Sequence, residues 1–300
     1  MKQNKSKRYV SITIDVEDWF QVENLRAVYD HTSWEKAESR VERNTELILE
    51  ALDNHKVKAT FFILGWVAER YPKLVKKISE EGHEVASHGY NHILNYNLSE
   101  EELRRDLESS KKLLEDLTGK EVIGYRAPSF SVNDKVLATL SEIGYRYDSS
   151  FNPFSLHDRY GTITQSVISR PFLHQSGIVE FPMPVLELGH INLPISGGGY
   201  FRIYPFWTFK KLLQLYFRKN TLFVFYMHPW EIDSEQPVVK NIPFGYKLRH
   251  YVGLKGCYRK FEKLLTLVSS EGIEDKQIML EHVTLASYLV NLHPSIMTQM

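Results

Sequence analysis

A chain of 300 residues is long for one ordinary domain but fits a single α/β barrel carrying loop insertions. Lys plus Arg and Asp plus Glu total 37 each, so no global field attracts nucleic acid or an anionic membrane, and 43% hydrophobic with 25% charged residues is the balance of a globular protein, not a disordered one. Cys257 is the only cysteine, which excludes an internal disulfide and a thiolate zinc cluster and leaves any metal to His and carboxylate.

The first residues, with Lys2, Lys5, Lys7 and Arg8, are basic but lack the apolar core and cleavage site of a signal peptide, and no apolar run reaches membrane-spanning length. The expectation is a cytoplasmic protein, with contact of that tail at the inner face of a membrane as a secondary expectation. Strand-like runs then alternate with amphipathic stretches, which argues for βα units around a parallel sheet. The first strand, Tyr9–Ile14, runs into Asp15-Val16-Glu17-Asp18-Trp19. Carboxylates at the C-terminal end of a barrel strand sit where barrel active sites are built. If strand geometry persists, Asp15 and Glu17 share one side and Asp18 the other, whereas a turn after Val16 brings Asp18 inward. One carboxylate can then complete a two-His, one-carboxylate metal site while another acts as a base.

A second strand is expected over Lys58–Leu64 and a third over Glu84–Ser87, followed by His88-Gly89-Tyr90-Asn91-His92. Four residues of separation places the two imidazoles on one side of a helical turn, close enough to share an ion at ~2.1 Å from each nitrogen. Gly89 stands where a zinc protease of the His-Glu type needs its Glu, which disfavours that reading. Ser99 with Glu102 reads as a capping box opening a helix whose apolar stripe is Leu103, Leu107, Leu113, Leu114 and Leu117, and Gly119 ends it. A fourth strand, Val122–Tyr125, delivers Arg126 before Ala127-Pro128, where the proline holds its direction and the guanidinium can orient a carboxylate. A helix from Ser131, with Asp134 three residues on, carries Val136, Leu137, Leu140 and Ile143 inward and ends at Gly144.

Between about 150 and 205 the pattern loosens, with Pro153, Pro171, Pro182, Pro184 and Pro194 and the triplet Gly197–Gly199, as in a loop-rich insertion over one end of the barrel. Leu222–Met227 is apolar on both faces, as a buried barrel strand is, and delivers His228, whose titration near neutrality suits a general acid. After residue 240 the periodicity weakens into a C-terminal extension.

In this order, Ile14–Trp19, Ser87–His92, Tyr125–Pro128 and Phe225–Trp230 make the chain resemble the polysaccharide deacetylases of carbohydrate esterase family 4, which share the NodB-homology domain, over roughly residues 8 to 290. Asp15-Val16-Glu17-Asp18-Trp19-Phe20, Arg126-Ala127-Pro128-Ser129-Phe130, Tyr147-Asp148-Ser149-Ser150, Gly198-Gly199-Tyr200-Phe201-Arg202 and His228-Pro229-Trp230-Glu231 resemble most the branch encoded with exopolysaccharide export systems. The resemblance implies an α/β fold, a distorted (β/α)7 barrel spanning 1–300 as one domain, with the elaborated region 150–205 and the extension 240–300. It implies one divalent ion, Zn²⁺ ahead of Co²⁺, Ni²⁺ or Mn²⁺, that activates a water for attack on an acetamide of an N-acetylated polysaccharide or oligosaccharide.

By the same resemblance Asp15 is the base, Arg126 its tether, His228 the general acid, and His88 and His92 metal ligands. The family commonly has two adjacent aspartates in its first motif, whereas here Val16 intervenes and Glu17 and Asp18 compete for the ion, with Asp18 slightly favoured. Trp19, Tyr125, Pro128, Tyr200 and Trp230 are the candidate substrate-binding residues, the aromatic ones as flat faces for sugar rings. Two rivals stand beside this reading: a related hydrolase of a small amide or cyclic ureide, and a catalytically silent carbohydrate-binding relative.

Overall fold

The computed structural model describes residues 6–154, 160–189, 191–269 and 278–296. Its strands are β1 (Ser6–Val16), β2 (Thr60–Ile63), β3 (Glu84–Ser87), β4 (Gly124–Tyr125), β5 (Tyr147–Asp148), β6 (Phe172–Leu173), β7 (Val179–Glu180), β8 (Val185–Leu188), β9 (Ile191–Pro194), β10 (Leu222–Met227) and β11 (Ile278–His282). Its helices are α1 (Val41–Asn54), α2 (Gly65–Arg70), α3 (Pro72–Glu80), α4 (Glu100–Thr118), α5 (Asp134–Ile143), α6 (Gly198–Ile203), α7 (Phe206–Tyr216), α8 (Phe244–Tyr251), α9 (Leu254–Ser269) and α10 (Leu285–Ile296).

The main sheet runs β10-β1-β2-β3-β4-β5-β7-β6, and all of these strands are parallel to their neighbours except β6, which returns antiparallel to β7. Helices connect the strands in the right order for a curled (β/α)7 architecture, as expected. The free edge of β10 is met by Ser196 and Gly197, which pair with Tyr226. A Cβ at Gly197 would sit 1.9 Å from the Tyr226 carbonyl oxygen, so only glycine permits this approach. β11 adds to the N-terminal half of β1, so the extension after residue 240 is woven into the sheet and not appended to it.

Alternation along the parallel strands separates two apolar layers. Val10, Ile12, Ile14, Phe61, Ile63, Phe223 and Phe225 pack outward beneath the helices, whereas Phe62, Ala86, Tyr147, Val179, Val224 and Tyr226 fill the interior of the curl. The period of two then predicts which polar residues reach the interior at the strand ends. Asp15 and Glu17 follow Thr13, His88 follows Ala86, Arg126 follows Gly124 and His228 follows Tyr226, each one step of two beyond an inward position. All five side chains therefore converge on the same end.

Two-residue strands such as β6 and β7 carry no readable period, which is why 150–205 reads as loops in sequence although it supplies two sheet strands and the β8–β9 hairpin. Helix α4 has the expected cap, with Glu102 donating its backbone N–H to Ser99 and Gly119 closing it in the left-handed region. Helix α5 departs from expectation: its N-cap is Asn133, whose side chain accepts from the Val136 amide, while the Ser131 hydroxyl donates to the Pro128 carbonyl. Ser131 is drawn away because it braces the turn after Arg126.

On the outward face of β5 and β7, Asp148 and Glu180 oppose one another in register and are both wholly buried. Burial, reinforced by the Asp148 charge, pushes the Glu180 carboxyl well above its ordinary value of 4.5. The folded state thus binds this proton more tightly than the unfolded chain, so its stability declines as pH rises from the ordinary value toward the raised one. Glu180→Gln mimics the protonated acid and is expected to abolish that decline: melting temperatures of variant and parent should coincide below pH 4.5 and diverge in the variant's favour above it.

Candidate active site

Asp15 occupies the end of β1, 2% exposed, and its Oδ1 accepts from Arg126 Nη1 at 2.6 Å. Arg126 is wholly buried and leaves no freedom to this contact. Its Nη1 also donates to Thr13 Oγ1 at 2.7 Å, its Nε to the Ser149 carbonyl at 2.9 Å and its Nη2 to Ser149 Oγ at 3.0 Å, while the guanidinium lies 4.2 Å from the Phe62 ring centre. A planar group pinned on three sides fixes one oxygen of Asp15 and leaves Oδ2 facing the cavity.

The His88–His92 segment is not helical. Gly89 (φ 74°) and His92 (φ 51°) turn the backbone through the left-handed region, and the Asp106 carboxylate on α4 accepts from the Tyr90 and Asn91 amides at 2.8 and 3.3 Å. This loop, and not a helical turn, brings the two rings to a 5.5 Å separation. The four-residue spacing points to the right pair for the wrong geometric reason. His88 Nδ1 lies 2.7 Å from the Arg126 carbonyl oxygen, which can only accept, so Nδ1 carries the proton and Nε2 is left bare toward the site. Burial holds His88 down to about 4, so the ring is neutral and able to ligate.

Glu17, His88 and His92 each present a donor atom such that all lie within 4.8 Å of one another, all buried. Glu17 Oε2 stands 2.7 Å from His92 Nε2 yet has no hydrogen-bond partner, and His92 Nδ1 has none either. Buried polar atoms are rarely left so. One carboxylate, two imidazoles and an orphaned buried oxygen together fit a divalent cation of the zinc class. Burial alone would raise the Glu17 carboxyl, but the His92 and His228 charges outweigh it and hold it at about 2.

Asp18 is elsewhere. Its Oδ2 accepts from Ser39 Oγ (2.6 Å), the Arg40 amide (2.8 Å) and the Val41 amide (3.1 Å), and its Oδ1 from the Trp19 amide. The expectation that slightly favoured Asp18 beside the two imidazoles is not met: its carboxylate serves the N-terminus of α1, whose unpaired N–H groups demand an acceptor, and Glu17, on the side given by strand alternation, stands with His88 and His92 instead.

His228 ends β10 with Nε2 3.8 Å from Asp15 Oδ2 and 3.5 Å from Glu17 Oε1. Its Nδ1 is 3.1 Å from Glu231 Oε2, and Glu231 Oε1 accepts from Arg202 Nε at 2.7 Å. Arg202 in turn donates to the His250, Val252 and Arg249 carbonyls, which locks the chain of contacts. Burial would depress His228, but Glu17, Glu231 and Asp15 together raise it to about 9. Trp230 stacks on His228 at 5.3 Å and on His250 at 4.4 Å, and its Nε1 donates to Glu17 Oε1 at 3.3 Å. Glu231 and Arg202 lie inside the quoted motifs, but nothing in the sequence discloses that the two pair across 29 residues to orient His228. Glu231→Gln is expected to lower kcat about 10–100-fold with KM little changed in steady-state kinetics, the usual cost of losing a group that orients a functional His.

A cavity of about 120 Å³ opens over these residues, lined also by Ser129, Phe130, Tyr160, Tyr226 and Arg249. Ser129 (φ 51°) and Phe130 (φ 59°) hold consecutive left-handed conformations at its edge, strain of the kind that functional loops retain. Of the candidate sugar-binding residues only Trp230 lines this cavity. Trp19 is buried with its indole donating to the Glu38 carbonyl, and Tyr125 is buried with its hydroxyl on Asn95, so neither has a face to offer. Pro128 is buried against Gly89, and Tyr200 sits edge-on to Phe154 outside the lining. Aromatic residues identify themselves in sequence, but the neighbours that bury them do not, and for Tyr125 the two-residue β4 carries no period to read.

Residues 2–147 match the sequence model of the family described as Polysaccharide deacetylase. Through this region the chain belongs to the polysaccharide deacetylase family. Residues 149–275 match a second model, described as Domain of unknown function (DUF3473), so the deacetylase region supplies Asp15, Glu17, His88, His92 and Arg126, and the second region supplies Arg202, His228, Trp230 and Glu231. A peptidoglycan-N-acetylglucosamine deacetylase of Bacillus cereus is 39% identical over 102 residues, 34% of this chain and 47% of that protein. A peptidoglycan deacetylase of Helicobacter pylori is 28% identical over 148 residues, 45% of this chain and 50% of that protein. The chain thus spans half or less of the length of these curated relatives. Among solved structures, a Mycobacterium smegmatis protein assigned as a polysaccharide deacetylase superposes with TM-score 0.64 at 20% identity, covering 98% of this chain and 92% of that one, which establishes the deacetylase fold.

Proposed function

We propose that this deacetylase-family protein removes N-acetyl groups from amino-sugar residues of a polysaccharide, with one divalent ion, Zn²⁺ first among the candidates, held by Glu17, His88 and His92. The observation that carries the reading is the convergence of those three buried donors beside an Arg-tethered carboxylate and a cationic imidazole, Nε2 of His228 standing 3.8 Å from Asp15 Oδ2. A bound ion would supply Lewis acidity to the acetamide carbonyl and acidify the attacking water.

The chain's own groups do the rest. Asp15, with Oδ1 occupied by Arg126, receives the water proton at Oδ2. His228, protonated and held through Nδ1 by Glu231, gives its Nε2 proton to the sugar nitrogen as the C–N bond breaks, so that water and acetamide become acetate and free amine. Phe130, Tyr226 and the half-buried Tyr160 bound the cavity where the sugar ring would rest, and they replace Trp19, Tyr125 and Tyr200 as candidate faces. An exopolysaccharide or its precursor is the proposed polymer, on the strength of the five motif segments that set the chain within the family, and the names of the curated relatives support an N-acetylglucosamine unit.

The test is acetate release from N-acetylglucosamine oligomers by zinc-loaded protein. Release that a chelator abolishes and re-added zinc restores, with small amides untouched, supports the reading. Metal-independent release, or turnover of small amides or cyclic ureides instead, overturns it.

A further inference from the structure

Between Glu187, itself exposed on β8, and Glu231 the sequence contains no Asp or Glu, although the whole chain has 37, while Lys210, Lys211, Arg218 and Lys219 fall within the interval and Arg202 is buried against Glu231. The same interval holds an unusual share of the exposed large apolar side chains: Leu188 (58%), Ile191 (62%), Ile203 (57%), Trp207 (63%) and Leu215 (44%). In a protein of balanced charge, these two features coincide on one unit. It consists of the β8–β9 hairpin, α6 and α7, with β8 packed against α7.

Helix α7 shows how the surface is built. Phe209, Leu213 and Tyr216 turn into the core, whereas Trp207, Lys211 and Leu215, spaced four apart, form one outward stripe with Arg218 beyond its end. Lys211 Nζ lies 5.3 Å from the centre of the Trp207 ring, so the cation covers the indole without hiding it. At the hairpin tip Leu188 and Ile191 are paired in register and both exposed. Folding gains nothing from these exposed apolar groups, and monomeric proteins rarely keep contiguous ones without a partner.

We propose that the α7 stripe and the β8–β9 tip form a docking surface for a membrane bearing anionic lipids. A protein partner would need only the apolar groups. The absence of every carboxylate over the interval, with Trp and long aliphatic side chains interleaved with Lys and Arg, matches what an anionic interface selects: cations at headgroup level and an indole at the boundary. The surface is separate in sequence from the basic tail at Lys2, Lys5, Lys7 and Arg8, of which Lys2 and Lys5 lie outside the described residues and Arg8 Nε donates to the Phe217 carbonyl at the end of α7. No helix among the described residues is long and apolar enough to cross a membrane. The unit joins the sheet near the active site, since α6 begins directly after Gly197, which pairs with Tyr226 two residues before His228.

Flotation of the purified full chain with phosphatidylcholine vesicles, with or without phosphatidylglycerol, tests this without any turnover, so its failure is separate from failure of the proposed deacetylation. Partition onto the anionic vesicles is expected, weakened by salt. Trp207→Ser with Lys211→Glu should reduce it about tenfold while leaving acetate release from soluble oligomers unchanged. Gln at the four basic tail positions should retain most of the binding. The proposal is overturned if neither vesicle binds, if the double variant binds like the parent, if only the tail variant loses binding, or if sedimentation finds a concentration-dependent oligomer that the double variant abolishes.

Discussion

Glu17→Gln is expected to leave the purified protein without stoichiometric metal and without deacetylase activity, whereas Asp18→Asn keeps both. The two carboxylates are neighbours in sequence, and they differ in what surrounds them. Glu17 Oε2 has no hydrogen-bond partner and faces two imidazoles, so its charge is available to a cation, and an amide supplies neither the charge nor the same affinity. Asp18 accepts from four donors on both of its oxygens, at the start of α1 and at Trp19. An Asn there must point an N–H₂ at a donor, a cost of about 1–2 kcal/mol that appears as a melting temperature lower by a few degrees. Metal analysis of the two proteins, alongside thermal melts, reads both effects. Metal retained in the Glu17 variant and lost in the Asp18 variant would reverse the assignment.

The second large effect is expected at Asp15. Asp15→Asn preserves shape and can still accept at Oδ1 from Arg126, so fold and metal content should be those of the parent. The amide cannot take a proton at physiological pH, and loss of a general base typically costs about 10²–10⁴ in rate. The decrease should fall on kcat, with substrate binding little altered. Arg126 itself is a poorer probe. Wholly buried and hydrogen-bonded to Ser149 and Thr13, it cannot be removed without leaving the Asp15 charge buried and unpaired, and such losses cost about 3–5 kcal/mol of stability. A variant there would confuse unfolding with lost catalysis, whereas the Asn variant separates them.

The division of the site between two matched regions bears on how it is held together. The proposed base, its proposed tether and the three metal-binding candidates come from residues 2–147, and the imidazole proposed as acid comes from the region matched as a domain of unknown function. The parallel ladder of β1 with β10, from Tyr9 opposite Leu222 to Ile14 opposite Met227, joins the halves and sets Asp15 beside His228. Any change that slips this register by one residue would send Asp15 into the outer apolar layer.

Sequence by itself determined much of the scaffold and which residues are candidates for the site. Its four strand-terminal motifs held the residues that meet in the cavity, because a buried parallel strand is written as a continuous apolar run and its C-terminal end is where a polar residue can first emerge. Strands Glu84–Ser87 and Leu222–Met227, and both ends of α4, were legible to the residue, for the same reason of strong local pattern. Only the tertiary structure decided the rest. Glu17 against Asp18 depended on which carboxylate a distant helix N-terminus required. The His88–His92 pairing depended on left-handed backbone at Gly89 and His92, which no spacing rule encodes, and on Asp106 reaching across from α4. The Arg202–Glu231–His228 chain of contacts and the fate of each aromatic were set by contacts between residues far apart in the chain, information that resides in packing and not in any local run of amino acids.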